Sequence, residues 1–218
     1  MKITKYPQSC LVVQARGVRL LFDPGVLKYK DRFFDVWKTA DAVFVTHKHA
    51  DHCHFELIAE LGTNIPLHTT AEVIKAYPLL DYAKPVREGA ETAVGEVSVR
   101  AVRAVHGYHP LMRGNEVFEN IGFLVDDGET SLYITGDTIC FPTDLKTDII
   151  AMPVTGHGVT MTAFEASLFA RETGAKHILL THMDNEAFEI DWQYINKHFG
   201  KAKLEYTILE TEESVELV

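Results

Sequence analysis

Cysteine is scarce in this chain: three in 218 residues, at Cys10, Cys53 and Cys140, with no Cys-x-x-Cys pair. An odd, scattered set does not read as a disulfide framework, and a reducing cytoplasm is the simplest setting. No apolar run approaches a membrane span, and Met1-Lys2-Ile3-Thr4-Lys5-Tyr6-Pro7 lacks the apolar core of a secretory signal. Positive charge is short, with 21 basic against 31 acidic residues for a net charge of −10. Nucleic acid and anionic membrane both require a basic footprint, so neither is expected as a partner. A small-molecule substrate is not excluded by that charge, even an anionic one, because a bound metal would dominate the local field. Linkers and low-complexity segments are also missing, so residues 1–218 read as a single domain. With 46% apolar and 24% charged residues, that domain has enough material for a sizeable core. A homo-oligomer is left open.

Histidine, by contrast, is concentrated. Val43-Phe44-Val45-Thr46 runs into His47-Lys48-His49-Ala50-Asp51-His52, placing three imidazoles within six residues. The apolar run predicts a short buried strand ending in a loop. In extended backbone alternate side chains share a face, so His47 and His49 can converge on one cation. Asp51 and His52 lie where the chain turns and can face a second cation. Imidazole and carboxylate suit zinc, and also manganese or iron.

The rest alternates between strands and helices. Residues 10–14 and 18–22 are strands around a hairpin signal, Ala15-Arg16-Gly17, and Asp23-Pro24-Gly25 stops the second. Residues 26–40 are not cleanly periodic; Phe33, Phe34 and Trp37 read as core aromatics, with a flap beside a pocket as the alternative. A helix carries Phe55, Ile58 and Leu61 and ends at Gly62. Strands are predicted at 65–69, 97–104, 121–125, 131–135, 149–154, 177–180 and 204–209. Helices are predicted at 71–77, at 162–173 with Met161, Phe164 and Leu168 on one face, and from Asp191 to Gly200. Val45-Thr46-His47 and Leu180-Thr181-His182 hint weakly at two related halves. Two sheets face to face with helices outside is the layering this order favours.

Three more strand ends carry metal-type donors: His106 after 102–105, Asp137 after 133–136, and His182 after 179–181. Gly136 allows close backbone approach beside Asp137. With the first cluster they offer five imidazoles and two carboxylates, enough for two metal ions with positions open to water.

In order and spacing, His47-x-His49-x-Asp51-His52, His106, Asp137 and His182 resemble the metallo-β-lactamase superfamily over residues 23–182. The resemblance implies an α/β fold, the four-layer αββα sandwich, in agreement with the layering above. It implies that His47, His49 and His106 hold one metal, that Asp51, His52 and His182 hold the other, and that Asp137 bridges them. Asp23 looks like the family's strand-end Asp, which orients a ligand imidazole. Residues 151–158 (Ala-Met-Pro-Val-Thr-Gly-His-Gly), followed by Met161-Thr162, are similar to the branch containing L-ascorbate-6-phosphate lactonase. Dizinc β-lactamases usually carry Cys where Asp137 stands, which turns the reading away from antibiotic hydrolysis. Flavodiiron oxygen reductases carry Glu where His49 stands and add a flavin domain. RNA-processing members need a basic arm that is not evident here.

The function implied is a metal-dependent hydrolase. Two divalent transition metal ions, zinc first and manganese or iron next, would share a water and lower its pKa from about 15.7 towards ~7. The hydroxide would then cleave a small ester, lactone or phosphodiester, with Asp51 and Asp137 as catalytic carboxylates that hold metal and can accept the proton. The alternatives are a non-haem iron redox protein on the same scaffold and a non-catalytic metal-binding protein, although degenerate members should have lost ligands that this chain keeps. His54 and His109 fall outside the pattern; His68, His177 and His198 read as structural or solvated. His157 is expected in the pocket, where neutral imidazole can donate to an anionic group. Residues 107–120 read as a specificity loop beside His106, with Tyr108 and Arg113 as candidates. Arg113 either pairs with a substrate phosphate or carboxylate or lies in solvent.

Overall fold

The computed structural model describes residues 1–217. The first half runs β1 (Lys2–Lys5), β2 (Leu11–Ala15), β3 (Val18–Phe22), α1 (Asp31–Trp37), β4 (Ala42–Phe44), α2 (Phe55–Leu61), β5 (Leu67–Thr69), α3 (Ala71–Ala76) and β6 (Lys84–Pro85). The second runs β7 (Glu91–Val94), β8 (Val97–Arg103), β9 (Ile121–Asp126), β10 (Ser131–Ile134), β11 (Ile149–Pro153), α4 (Ala163–Thr173), β12 (His177–Thr181), α5 (Trp192–Ala202) and β13 (Ser214–Glu216). One sheet has the order β13-β1-β2-β3-β4-β5-β6, the other β12-β11-β10-β9-β8-β7.

Strand alternation assigns the layers. Leu11, Val13, Leu20 and Phe22 point to the inner face, where they meet Val99, Phe123, Val125, Ile149 and Leu179 of the second sheet. Val12, Leu21, Val43 and Val45 point outward against Phe33, Trp37, Ile58 and Val73 of α1, α2 and α3. On the far side Ile150, Met152, Ile178 and Leu180 pack on Phe169 of α4 and on Ile195 and Phe199 of α5. The result is the αββα sandwich. The β2–β3 hairpin turns through Arg16 (φ 47°) and Gly17 (φ 80°), the paired positive angles that match strand twist.

Each sheet contains a hairpin followed by parallel strands: β2–β3 then β4 and β5, and β9–β10 then β11 and β12. In that correspondence β4 matches β11, not β12. The two Thr-His tripeptides therefore sit at non-equivalent strand ends, and the topological counterpart of Val45-Thr46-His47 is Val154-Thr155-Gly156-His157.

Three expectations need correction. The α4 face is not Phe164 and Leu168, which are 47% and 42% exposed. The buried face is Ala163, Ala166, Ser167, Phe169, Ala170 and Thr173, because small side chains let the helix lie close to the sheet. Residues 204–209 form no strand; they make an isolated parallel bridge, Leu179 with Thr207, alongside the edge strand β12. Helix α5 passes through Gly200 and ends at Lys203, whose left-handed backbone (φ 55°) does the work expected of the glycine. Among the described residues no helix is long and apolar enough to cross a membrane.

Candidate metal centre

The loop after β4 is fixed from beneath by one buried carboxylate. Asp23 accepts from the Thr46 backbone N–H (2.8 Å) through Oδ1, and from the Thr46 hydroxyl (2.9 Å) and His52 Nδ1 (2.8 Å) through Oδ2. Because the Thr46 hydroxyl donates to Asp23, its oxygen is left to accept from His47 Nδ1, 3.0 Å away. His47 and His52 therefore both turn Nε2 towards the cavity. His106 donates from Nδ1 to Gly107 O (2.7 Å), which frees its Nε2. His49 donates from Nε2 to Asn115 O (3.1 Å), which frees Nδ1. Asp23 thus orients one imidazole in each half of the site, one directly and one through Thr46.

The donors converge in two groups whose ligand-type atoms lie within 4.8 Å of one another: His47, His49, His106 and Asp137, and Asp51, His52 and His182. Each group could hold a metal ion. Within the first, His47 Nε2 faces His49 Nδ1 at 3.2 Å. With the tautomers above, both atoms present lone pairs, and two lone pairs at that separation repel unless a cation lies between them. Buried without a hydrogen-bond partner are His52 Nε2, His106 Nε2, His182 Nε2 and Asp137 Oδ1. Unsatisfied buried polar atoms are costly and rare. Their convergence fits a metal centre, with Asp137 3.2 Å from His52 Nε2 and 3.1 Å from His182 Nε2.

Charge divides the same residues. Burial pushes His47 well below its usual range and His106 down to about 4, and burial likewise lowers His49. Burial opposes charge on His52 and His182 too, but Asp137 and the neighbouring carboxylates outweigh it and hold His52 well up and His182 at about 9. For Asp51 and Asp137 burial is outweighed by the same two imidazoles, and both carboxyls are held well below the usual range.

Gln8, in the β1–β2 turn, joins the second group. Its Nε2 donates to Asp51 Oδ2 (3.0 Å), and its carbonyl accepts from His182 N–H (3.2 Å). Its Oε1 accepts from Asp184 N–H (3.1 Å), while its own N–H donates to Asp184 Oδ2 (2.7 Å), which also takes Lys5 Nζ at 2.6 Å. Gln8, Asp23 and His182 all have left-handed backbone (φ 62°, 46° and 61°). Such conformations are uncommon for these residue types and cluster at functional sites. At Gly136 an added Cβ would lie 2.8 Å from Thr46, so glycine is what lets the Asp137 loop meet the histidine loop.

A cavity of about 800 Å³ opens over these groups, with His49, Asp51, Asp137 and His182 in its floor. His157 is in the wall; its ring stacks on Phe188 at 3.9 Å, and its buried Nε2 has no partner. Val26 and Leu27 also line the wall while Phe33 and Trp37 are core, so the 26–40 stretch supplies both a pocket edge and packing. Tyr108 (61% exposed) and Arg113 lie at the surface outside the wall; His109, Leu111, Met112 and Asn115 are the residues of the 107–120 loop that line it. His54 caps the start of α2, outside both donor groups. Gln8, Thr46 and Phe188 are site residues that sequence reasoning missed. Only Thr46 carried a signal, as the hydroxyl between a strand and a ligand-type histidine.

Comparison with known proteins agrees with this geometry. The model of the β-lactamase superfamily domain matches residues 2–182. The chain belongs to the metallo-β-lactamase superfamily, and within it to the UPF0173 metal-dependent hydrolases, of which the one from Carboxydothermus hydrogenoformans is 30% identical over 72% of this chain and 74% of that one. It is 31% identical over 157 residues to protein Rv0786c of Mycobacterium tuberculosis, covering 70% of this chain and 71% of that one. It is 28% identical over 229 residues to a UPF0173 metal-dependent hydrolase of Flavobacterium johnsoniae, covering 100% of both. Among solved structures, the metallo hydrolase Igni18 of Ignicoccus hospitalis superposes with a TM-score of 0.77 at 18% identity, over 98% of this chain and 97% of that one. The chain is a metal-dependent hydrolase of this fold.

Proposed function

We propose that the seven donors hold two divalent transition metal ions, zinc foremost, and that the protein hydrolyses a small ester, lactone or phosphodiester. His47, His49 and His106 would hold one ion, Asp51, His52 and His182 the other, with Asp137 shared. The observation that carries this reading is the set of buried, unpartnered donor atoms on His52, His106, His182 and Asp137. When bound, the metals supply hydroxide at neutral pH and polarise the substrate oxygen.

The chain's own residues do the rest. Asp23 and Thr46 keep a lone pair on His47 and His52 aimed at the centre. Asp51, held at Oδ2 by Gln8, is placed to accept a proton from the attacking water. For an ester, the water oxygen bonds to the carbonyl carbon and the bond to the leaving oxygen breaks. One water proton reaches that leaving oxygen, and the other is released from the acid product. His157 lines the cavity, and its unpartnered Nε2 would donate to a substrate oxygen in the tautomer protonated there. The likeness to the ascorbate-6-phosphate lactonase branch rests on residues 151–158, which contribute Gly156, His157 and Gly158 to the wall. The cytoplasm is the setting the free cysteines favour.

Metal loading followed by dialysis and elemental analysis tests the binuclear reading, with two ions per chain expected. One ion per chain, with His182 uncoordinated in a crystal, would overturn it. Turnover on bis-p-nitrophenyl phosphate, lactone and thioester panels then selects the bond cleaved.

A further inference from the structure

We infer that the substrate carries an uncharged, apolar group, and that the cavity wall recognises that group and not a phosphate or carboxylate. The inference rests on the hydrolase reading above and concerns only the part of the substrate away from the reacting bond.

Four separate loops deliver apolar side chains to the wall: Val26 and Leu27 after β3, Leu111 and Met112 after β8, Val159 after β11, and Phe188 before α5. Val159 is buried, but the others are not core residues that happen to border a hole. Val26, Leu111 and Phe188 are exposed, Leu111 at 89%. Exposed apolar side chains gathered around a functional centre mark a ligand surface. The wall is also fastened. Val26 N–H donates to Ala50 O, and Gly107 N–H donates to Val159 O. A Cβ on Gly107 would fall 2.1 Å from Gly158 O, so the two loops pack at backbone contact.

Charge points the same way. Among the described residues no lysine or arginine lines the cavity. Of the neighbouring cations, Lys48 pairs with Glu72 at 2.7 Å and Lys28 with Glu186 at 3.3 Å, while Arg113 is exposed outside the wall. Asn115 and Asn185 provide neutral polar edges. A terminal phosphate or carboxylate held against this wall, away from the metal centre, would lose water and gain no lysine or arginine partner there, which is unfavourable. An alkyl or aryl group would cover Leu111 and Phe188 from water.

The test is ligand-observed NMR titration of the metal-loaded protein with neutral ketones that cannot be hydrolysed: 2-butanone, 2-hexanone and 2-octanone, with 7-oxooctanoate as the charged member. Affinity is expected to rise by about fourfold per buried methylene, and the carboxylate is expected to bind at least tenfold more weakly than 2-octanone. Leu111→Ala and Phe188→Ala should each flatten the rise with chain length. A flat series, a carboxylate that binds as well as 2-octanone, or an undiminished slope in both variants would each overturn the inference. A parallel panel of p-nitrophenyl acetate, butyrate and hexanoate separates this from the reaction itself. Graded ketone binding without ester turnover keeps the apolar site and counts against ester hydrolysis. Ester turnover with a flat ketone series does the reverse.

Discussion

The two donor groups are built from the same side chains but are supported differently. His47, His49 and His106 sit in the group that burial keeps neutral, and the links that fix them run to nearby loops: Thr46 for His47, Asn115 O for His49, Gly107 O for His106. His52, His182 and Asp51 sit among carboxylates, braced by Gln8 and Lys5 at the N-terminus, which hold Asp51 and Asp184. The first half is held by its own loop and by the 107–120 loop, and the second depends on the N-terminal turn. Loosening should therefore act on one half at a time, except where a residue serves both.

Asp137 is shared in the proposed arrangement, so Asp137→Ala carries the largest expected effect: nearly all hydrolysis lost, with both ions weakened. Asp137 lies in a loop after β10, outside the core stripe, so circular dichroism should show a folded chain. His54→Ala, outside both groups, should keep most activity. If it were as damaging as Asp137→Ala, the division into donors and bystanders would be wrong.

Next is Asp23→Asn. The amide can present only one oxygen, so an NH₂ must face either the Thr46 N–H or the Thr46 hydroxyl and His52 Nδ1. Because Asp23 serves both halves, competitive chelator titration should show each ion weakened, by about 10- to 100-fold for loss of such a partner. A loss confined to one ion would show that the Thr46 relay to His47 has no consequence.

Gln8→Leu separates the halves. It removes the donor to Asp51 and the acceptor for Asp184 N–H while leaving the backbone link to His182. One ion should weaken by roughly tenfold, and the other should be unchanged in the same titration. Equal weakening of both would abolish the contrast drawn above.

The first half has an outer tie, and its effect is smaller. Glu72 pairs with Lys48, between His47 and His49, and accepts N–H bonds from Phe118 (2.9 Å) and Glu119 (2.8 Å). Burial would raise the Glu72 carboxyl, but these partners outweigh it and lower the pKa. A depressed carboxyl contributes stability above its unfolded value, and that contribution is lost as pH falls through the folded one. Glu72→Gln should cost on the order of 1 kcal/mol at pH 7. In urea melts, the gap from wild type should close as pH is lowered through the carboxylate range. A gap that widened in acid would reverse the sign and remove Glu72 as the tie.

Much of this was legible in the chain. The donors stand out because they follow apolar runs, and a strand that ends in His or Asp announces itself within a few residues. The sandwich was legible for the same reason, since alternation in 11–13, 18–22 and 149–152 fixes which side chain meets which layer. Gln8 was not legible. Its meaning comes from Asp51, His182 and Asp184, all far along the chain, and nothing in Pro7-Gln8-Ser9 distinguishes it from a surface turn. Strands β1 and β13 were missed because short edge pairing needs little hydrophobicity: Lys2↔Glu216 and Thr4↔Ser214 are polar pairs. The α4 face was misread because bulk was weighted over smallness, while close helix–sheet contact selects alanine.

Arg113 carries the smallest expected effect, and it bears on what the wall does. In sequence it sits seven residues after His106, in a loop that delivers Leu111, Met112 and Asn115 to the cavity. That proximity suggested charge recognition. The structure turns Arg113 outward at the end of a short 3-10 turn spanning Pro110–Met112, exposed and outside the cavity wall. An exposed guanidinium interacts with a distant anion through water and salt, which screen it beyond about 10 Å at 0.1 M ionic strength. Arg113→Ala is therefore expected to change kcat/KM by less than about twofold on a neutral ester and on its carboxylated counterpart alike. Pocket variants such as Phe188→Ala should instead change the dependence on chain length. A loss for Arg113→Ala on the charged substrate alone, at low salt and at 0.15 M, would restore it as a recognition residue and contradict the apolar wall.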